Sequence, residues 1–105
     1  MQKIQLPQSS QLPQLAEDKV FMPDSYSSNK VIESINSYID TLKRDSVSID
    51  ISFLNAIDSS YVSTMCSTNF FIKFPQGKIC WKVSSELVKT FNKNFDLGNT
   101  EYLTV

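Results

Sequence analysis

The residues with the best chemical prospects sit together at Asp58-Ser59-Ser60-Tyr61, with Ser63 and Thr64 a helical turn further on. Apolar residues precede the group and a helical pattern follows it, so it marks a strand-to-helix joint. The start of a helix exposes unpaired N–H groups and the positive end of the helix dipole. A carboxylate or hydroxyl placed there can cap the helix, support a bound anion or receive a phosphate carrying about −1.5 to −2 charges. Ordinary capping is the plainest of these uses.

Elsewhere chemistry is excluded by what is missing. The chain has no histidine. A Ser-His-Asp relay, a Cys-His pair and an imidazole metal ligand therefore have no basis. Cys66 and Cys80 are too few for a disulfide framework and read as reduced thiols in a core. Glu17-Asp18 falls in a loop-like stretch with nothing nearby to raise a carboxyl pKa. Gly77 and Gly98 are the only glycines, so no phosphate-cradling loop exists. These absences imply a chain that is not an enzyme, with no catalytic residue, no metal and no cofactor.

The elements that must hold the joint are legible from periodicity. Val31, Ile32, Ile35, Tyr38, Ile39 and Leu42 recur at three- and four-residue steps, which predicts an amphipathic helix over 30–44. Glu33 near its start and Lys43-Arg44 at its end suit the helix dipole. Val47, Ile49, Ile51 and Phe53 alternate with polar residues as in a half-buried strand. After the joint, Val62, Met65, Cys66, Asn69 and Phe70 have helical spacing. Pro75-Gln76-Gly77 marks a turn, and Ile79, Trp81 and Val83 form a further alternating strand. Ser84-Ser85-Glu86 opens a helix with Leu87, Val88, Phe91 and Phe95 as its apolar face. Gly98 ends that helix, and residues 100–105 close the chain as a strand.

Residues 1–28 read differently. Ile4 and Leu6 suit a short edge strand, and Lys19-Val20-Phe21-Met22 suits another. The expected order is β-(β)-α-β-α-β-α-β. Strands alternating with helices of this length are parallel and joined by right-handed crossovers. The fold class is therefore α/β, a single domain with a four- to five-stranded mainly parallel sheet, an N-terminal segment over 1–28 and a core over 29–105. The 105 residues, of which 41% are hydrophobic, suffice for one such domain.

The block from Ser48 to Ser60, Ser48-Ile49-Asp50-Ile51-Ser52-Phe53-Leu54-Asn55-Ala56-Ile57-Asp58-Ser59-Ser60, resembles the centre of the STAS domain. That family includes the anti-sigma factor antagonists of bacteria, and the domain also occurs in anion transporters and lipid-transport assemblies. Its pattern is a hydrophobic strand with Asp-Leu-Ser, then Asp-Ser-Ser-Gly opening a helix. Asp50-Ile51-Ser52 and Asp58-Ser59-Ser60 stand in those places. The resemblance implies a non-catalytic regulatory module for protein–protein interaction, with Ser60 as the phosphorylated serine. Asp58, Ser59, Ser60, Tyr61, Ser63 and Thr64 would form the contact surface. The partners implied are a serine kinase acting as an anti-sigma factor, a phosphatase or a transport ATPase. An accessory subunit that is never phosphorylated, and a domain binding a nucleotide or lipid, are the alternatives. Tyr61 stands where the family has glycine and projects a large ring where a partner would approach. The fold it resembles commonly ends in a further helix; the expectation here is a sheet without that helix, which would leave apolar surface for a partner or a second copy to cover.

Charge and hydropathy narrow the partners further. A net charge of −1 gives no global attraction to a phosphate backbone, so no nucleic acid is expected. Trp81 between Lys78 and Lys82 reads as a core residue because it alternates with Ile79 and Val83. The opening residues lack the apolar run of a signal peptide, and no stretch approaches the ~20 apolar residues that span a bilayer. The expectation is a cytoplasmic chain without membrane insertion.

Overall fold

A computed structural model of the chain describes residues 20–25 and 27–105. The expected strand at Ile4 and Leu6 lies outside the described residues, as does Lys19. The remaining elements follow in order: β1 (Val20–Phe21), α1 (Ser28–Asp40), β2 (Ser46–Asp50), α2 (Ala56–Lys73), β3 (Lys78–Val83), α3 (Glu86–Asn92), a 3-10 turn (Lys93–Phe95) and β4 (Thr100–Thr104). The four strands make one sheet in the order β1-β2-β3-β4, and every pairing is parallel. The α/β class and the parallel sheet match the expectation.

Because strand order advances in one direction, right-handed crossovers lay all three helices over the same face. In agreement, α1 packs on α2 and α2 on α3. The alternation of the strands decides what that face contains. Phe21, Ile49, Trp81 and Tyr102 lie side by side across the sheet in one register row. Ile49, Trp81 and Tyr102 are buried with Val47, Ile79 and Val83, and against them pack Val31, Ile35 and Ile39 of α1 and Val62, Cys66 and Phe70 of α2. The opposite face carries Ser46, Ser48, Asp50, Lys78, Cys80 and Lys82. Phe21 stacks on Tyr38 with ring centroids 4.2 Å apart, which fastens the short β1 to the α1 layer.

Several boundaries differ from the sequence reading, each for a local reason. β2 stops at Asp50 because the Asp50 carboxylate accepts the Ser52 N–H at 2.9 Å and turns the chain out of the sheet. α1 ends at Asp40, so Lys43 and Arg44 lie beyond it and Glu33 lies past its first turn. The cation at its C-terminus comes from α2 instead: Lys73 Nζ donates to the Ile39 and Asp40 carbonyls at 2.8 and 2.7 Å. In α3, Val88 is buried, whereas Leu87 is 78% exposed and Phe95 is exposed after the helix has tightened into the 3-10 turn.

Both glycines occupy positions with a backbone reason. Gly98 has a φ of +91°, and its N–H donates to Asp96 Oδ1 at 2.7 Å in the turn before β4. At Gly77 a Cβ would meet the Asp45 carbonyl oxygen at 2.6 Å and Phe70 and Phe74 at 3.0 Å. The Gly77→Ala substitution is expected to lower stability by about 1–3 kcal/mol, because backbone lies in the way and the chain must shift. Urea unfolding measures this as a lower midpoint at unchanged slope.

Candidate functional site

The joint after β2 forms as the sequence implies, but its cap lies further upstream. Asn55 is the N-cap of α2: its backbone is extended (φ −74°, ψ 177°) and its side chain accepts the Asp58 N–H at 2.8 Å. The helix begins at Ala56, so Asp58, Ser59 and Ser60 lie inside it and none of them caps it. Asp58 sits in the first turn, where the dipole favours a carboxylate. The pattern Asn-x-x-Asp before a helical run is the signal that identifies Asn55.

Helical geometry then separates the six expected contact residues. Ser59 and Ser63 are fully buried, Ser60 and Tyr61 lie on the outer side, and Thr64 is half-buried with its hydroxyl oxygen enclosed. Ser59, Ser63 and Ser67 recur every four residues and form a polar seam that faces α3, β3 and β4. Asn92 Nδ2 donates to Ser59 Oγ at 2.7 Å, Tyr102 Oη donates to Ser63 Oγ at 3.2 Å, and Trp81 Nε1 donates to Ser67 Oγ at 2.9 Å. Asn99 Nδ2 adds a bond to the Ser67 carbonyl at 3.1 Å. Ser59 and Ser63 are thus structural, and a partner approaching from outside cannot reach them. Neither periodicity nor composition marks Asn92, Asn99 and Tyr102 as their mates, because those contacts join segments more than thirty residues apart.

Ser60 is half-buried, and its hydroxyl donates to the Ile57 carbonyl at 2.9 Å. A phosphate there would break that bond and stand near the positive end of α2, where an anion is tolerated. Tyr61 projects outward beside it. Around them lies apolar surface: Ile57 is 67% exposed, Tyr61 47%, Met65 48% and Ile72 73%. At 100° per residue these side chains share about 80° of the circumference, opposite the buried side of the helix. The outer side of α1, by contrast, carries Asn29, Lys30, Glu33, Ser37 and Asp40.

The two thiols behave as packed groups. Cys66 is fully buried against α1, its Sγ 3.9 Å from the Ile32 carbonyl, and burial pushes its pKa from 9.0 up to about 12. Cys80, on the other face of the sheet, is also raised by burial and by the charge of Glu101, against the opposing effects of Ser48 and Lys82. Among the described residues no cluster of three or more His, Cys, Asp or Glu could hold a metal, and no helix is long and apolar enough to cross a membrane. Among the described residues the strand order does not reverse, so these four strands form no crevice at a switch point, where doubly wound folds bind nucleotides. Surface hollows lie beside α1 at Ser25 and Lys30, near Gly77 and Leu97, and along β4 at Lys93 and Thr100, away from the first turns of α2.

Two outcomes test this description. Replacing Ser67 with Ala leaves the buried Trp81 N–H without its acceptor and should cost about 1–3 kcal/mol; Asn55→Ala should cost about 1 kcal/mol through loss of the cap. The Cys66 thiol gives a pH signature. Its folded pKa lies above its unfolded one, so its contribution to stability is complete below pH 9.0 and is lost as the pH climbs towards about 12. Urea midpoints measured on either side of pH 9.0 should therefore fall in alkali, and less steeply in Cys66→Ala.

Comparison of the chain with protein-family models, with curated proteins and with solved structures yields no match, so the site is read from its own geometry.

Proposed function

We propose that this chain is a non-catalytic regulatory module that binds a protein partner on the outer side of α2, with Ser60 as a phosphorylatable switch. One observation carries the reading: an exposed apolar strip, Ile57, Tyr61, Met65 and Ile72, runs along the same helix whose opening turns hold an accessible hydroxyl at Ser60. Exposed apolar side chains grouped on one side of an otherwise well-packed helix support an interaction site. Unmodified, the strip offers a desolvating contact. A phosphate on Ser60 would add charge at its border and oppose docking of an apolar or acidic partner.

The resemblance of Asp50-Ile51-Ser52 and Asp58-Ser59-Ser60 to the STAS antagonists supports the same reading and points to a kinase-like anti-sigma partner. Tyr61 in place of glycine shapes the fit. A partner for this chain must accommodate a phenol ring at the helix start, so its pocket is wider there than one built for glycine. Asp58, Ser60 and Tyr61 form the accessible part of the contact surface, while Ser59 and Ser63 hold α2 in place from within.

Affinity capture from the native host, combined with intact-mass measurement, tests the proposal. The expected result is an ATP-binding partner retained by the unmodified chain and lost with Ser60→Glu or Tyr61→Ala, together with one phosphate that maps to Ser60. A partner indifferent to both substitutions, with no phosphate under any growth condition, would sink it.

A further inference from the structure

The outer side of α2 also names an occupant. We infer that, in the absence of its regulatory partner, the strip is covered by a second copy of this chain, the two α2 helices crossing antiparallel about a twofold axis near Met65. The inference rests on the reading of α2 as a contact face and adds what first covers it.

Three observations support self-pairing. First, the strip reads nearly the same in both directions. Ile57, Tyr61, Met65, Thr68 and Ile72 follow at steps of four, four, three and four. In an antiparallel pair Ile57 therefore meets Ile72 of the other copy, Tyr61 meets Thr68, and the Met65 side chains meet at the axis. An isologous twofold contact needs this kind of self-complementarity. Second, α2 has no charged residue between Asp58 and Lys73. Two copies can approach along the whole strip without burying a charge. Third, the two charged residues stand at opposite ends with opposite sign. The antiparallel arrangement opposes the helix dipoles and keeps the Asp58 ends of the two copies apart, whereas a parallel one sets like charges together; Lys73 itself stays on the α1 carbonyls that it caps. The outer side of α1, with Lys30, Glu33 and Asp40, offers no comparable surface.

This places self-association and regulation on one surface. A regulatory partner that engages Tyr61 must displace the second copy, so the concentration of the chain itself sets how much surface is free.

Sedimentation equilibrium of the full chain across micromolar to millimolar concentration provides the test. A species of twice 11.9 kDa is expected to form with rising concentration. The Met65→Glu substitution sets two carboxylates against each other at the axis and should weaken association by about 100-fold or more. Met65 is half-exposed, so its replacement is expected to leave the circular dichroism spectrum unchanged, and the melting temperature unchanged at dilutions where both chains are monomeric. A second variant gives a covalent readout. Met65→Cys should form a disulfide-linked dimer under mild oxidation, whereas Ser37→Cys on the polar side of α1 should not.

A wild-type chain that stays monomeric throughout, or a dimer unaffected by Met65→Glu and not trapped by Met65→Cys, overturns the inference. Neither result touches the regulatory reading, because capture of a kinase-like partner that depends on Ser60 and Tyr61 stands apart from self-association. Conversely, a Met65-dependent dimer with no such partner would leave this inference intact and remove the other.

Discussion

The bond from Trp81 to Ser67 governs how the helical layer is set. Trp81 is the largest fully buried side chain and stands near the middle of the sheet, between Ile49 and Tyr102 in the register. Its indole N–H cannot be left in an apolar core without an acceptor. Only a hydroxyl at the right height and angle on α2 can meet it, and Ser67 does so at 2.9 Å. That contact, with Tyr102 on Ser63 and Asn92 on Ser59, fixes the rotation of α2 about its own axis. Once the serine seam must face inward, Tyr61, Met65 and Ile72 can only face out. The exposed apolar strip is thus the far side of a buried polar one.

This reverses the usual amphipathic logic. Most surface helices turn apolar residues to the core and polar ones to water. In α2 the core side mixes Val62, Cys66 and Phe70 with three serines, while the solvent side carries large apolar groups. The serines are tolerated inside because each hydroxyl has a named partner. They also make the packing specific, since a rotated or shifted helix would orphan several buried donors at once. Specificity of this kind is what a helix needs if its outer residues are to be presented reproducibly to another molecule.

Much of this was legible in the sequence. Alternation at Val47, Ile49, Ile79, Trp81 and Val83 identified the strands and the face they turn to the core, because a parallel sheet covered on one side leaves a period-two signal. The Asp58-Ser59-Ser60 joint marked the start of α2. What stayed hidden has a common cause. The cap at Asn55 was overshadowed by three stronger-looking cap residues downstream. The inward role of Ser59 and Ser63 depends on Asn92 and Tyr102, which only the tertiary fold brings near. The exposed Leu87 and the short α1 likewise follow from packing between elements, which outweighs local pattern. Lys73 capping α1 from a different helix shows the same limit, since no reading of α1 alone could supply its cation.

The steady advance of strand order has a consequence for how the chain comes together. Each β-α unit touches chiefly the unit before and the unit after it, as α1 does α2 and β2 does β3. The molecule is in this sense a short one-dimensional stack, closer to a solenoid than to a sheet woven from distant segments. Closing each contact costs only the entropy of a loop one unit long, so assembly can begin at the central β2-α2-β3 unit and spread towards both ends. Among the described residues, the terminal units then have a neighbour on one side only. Opening is easiest at β1 and at β4, and the central unit, which carries α2, is the last part of the stack to come apart.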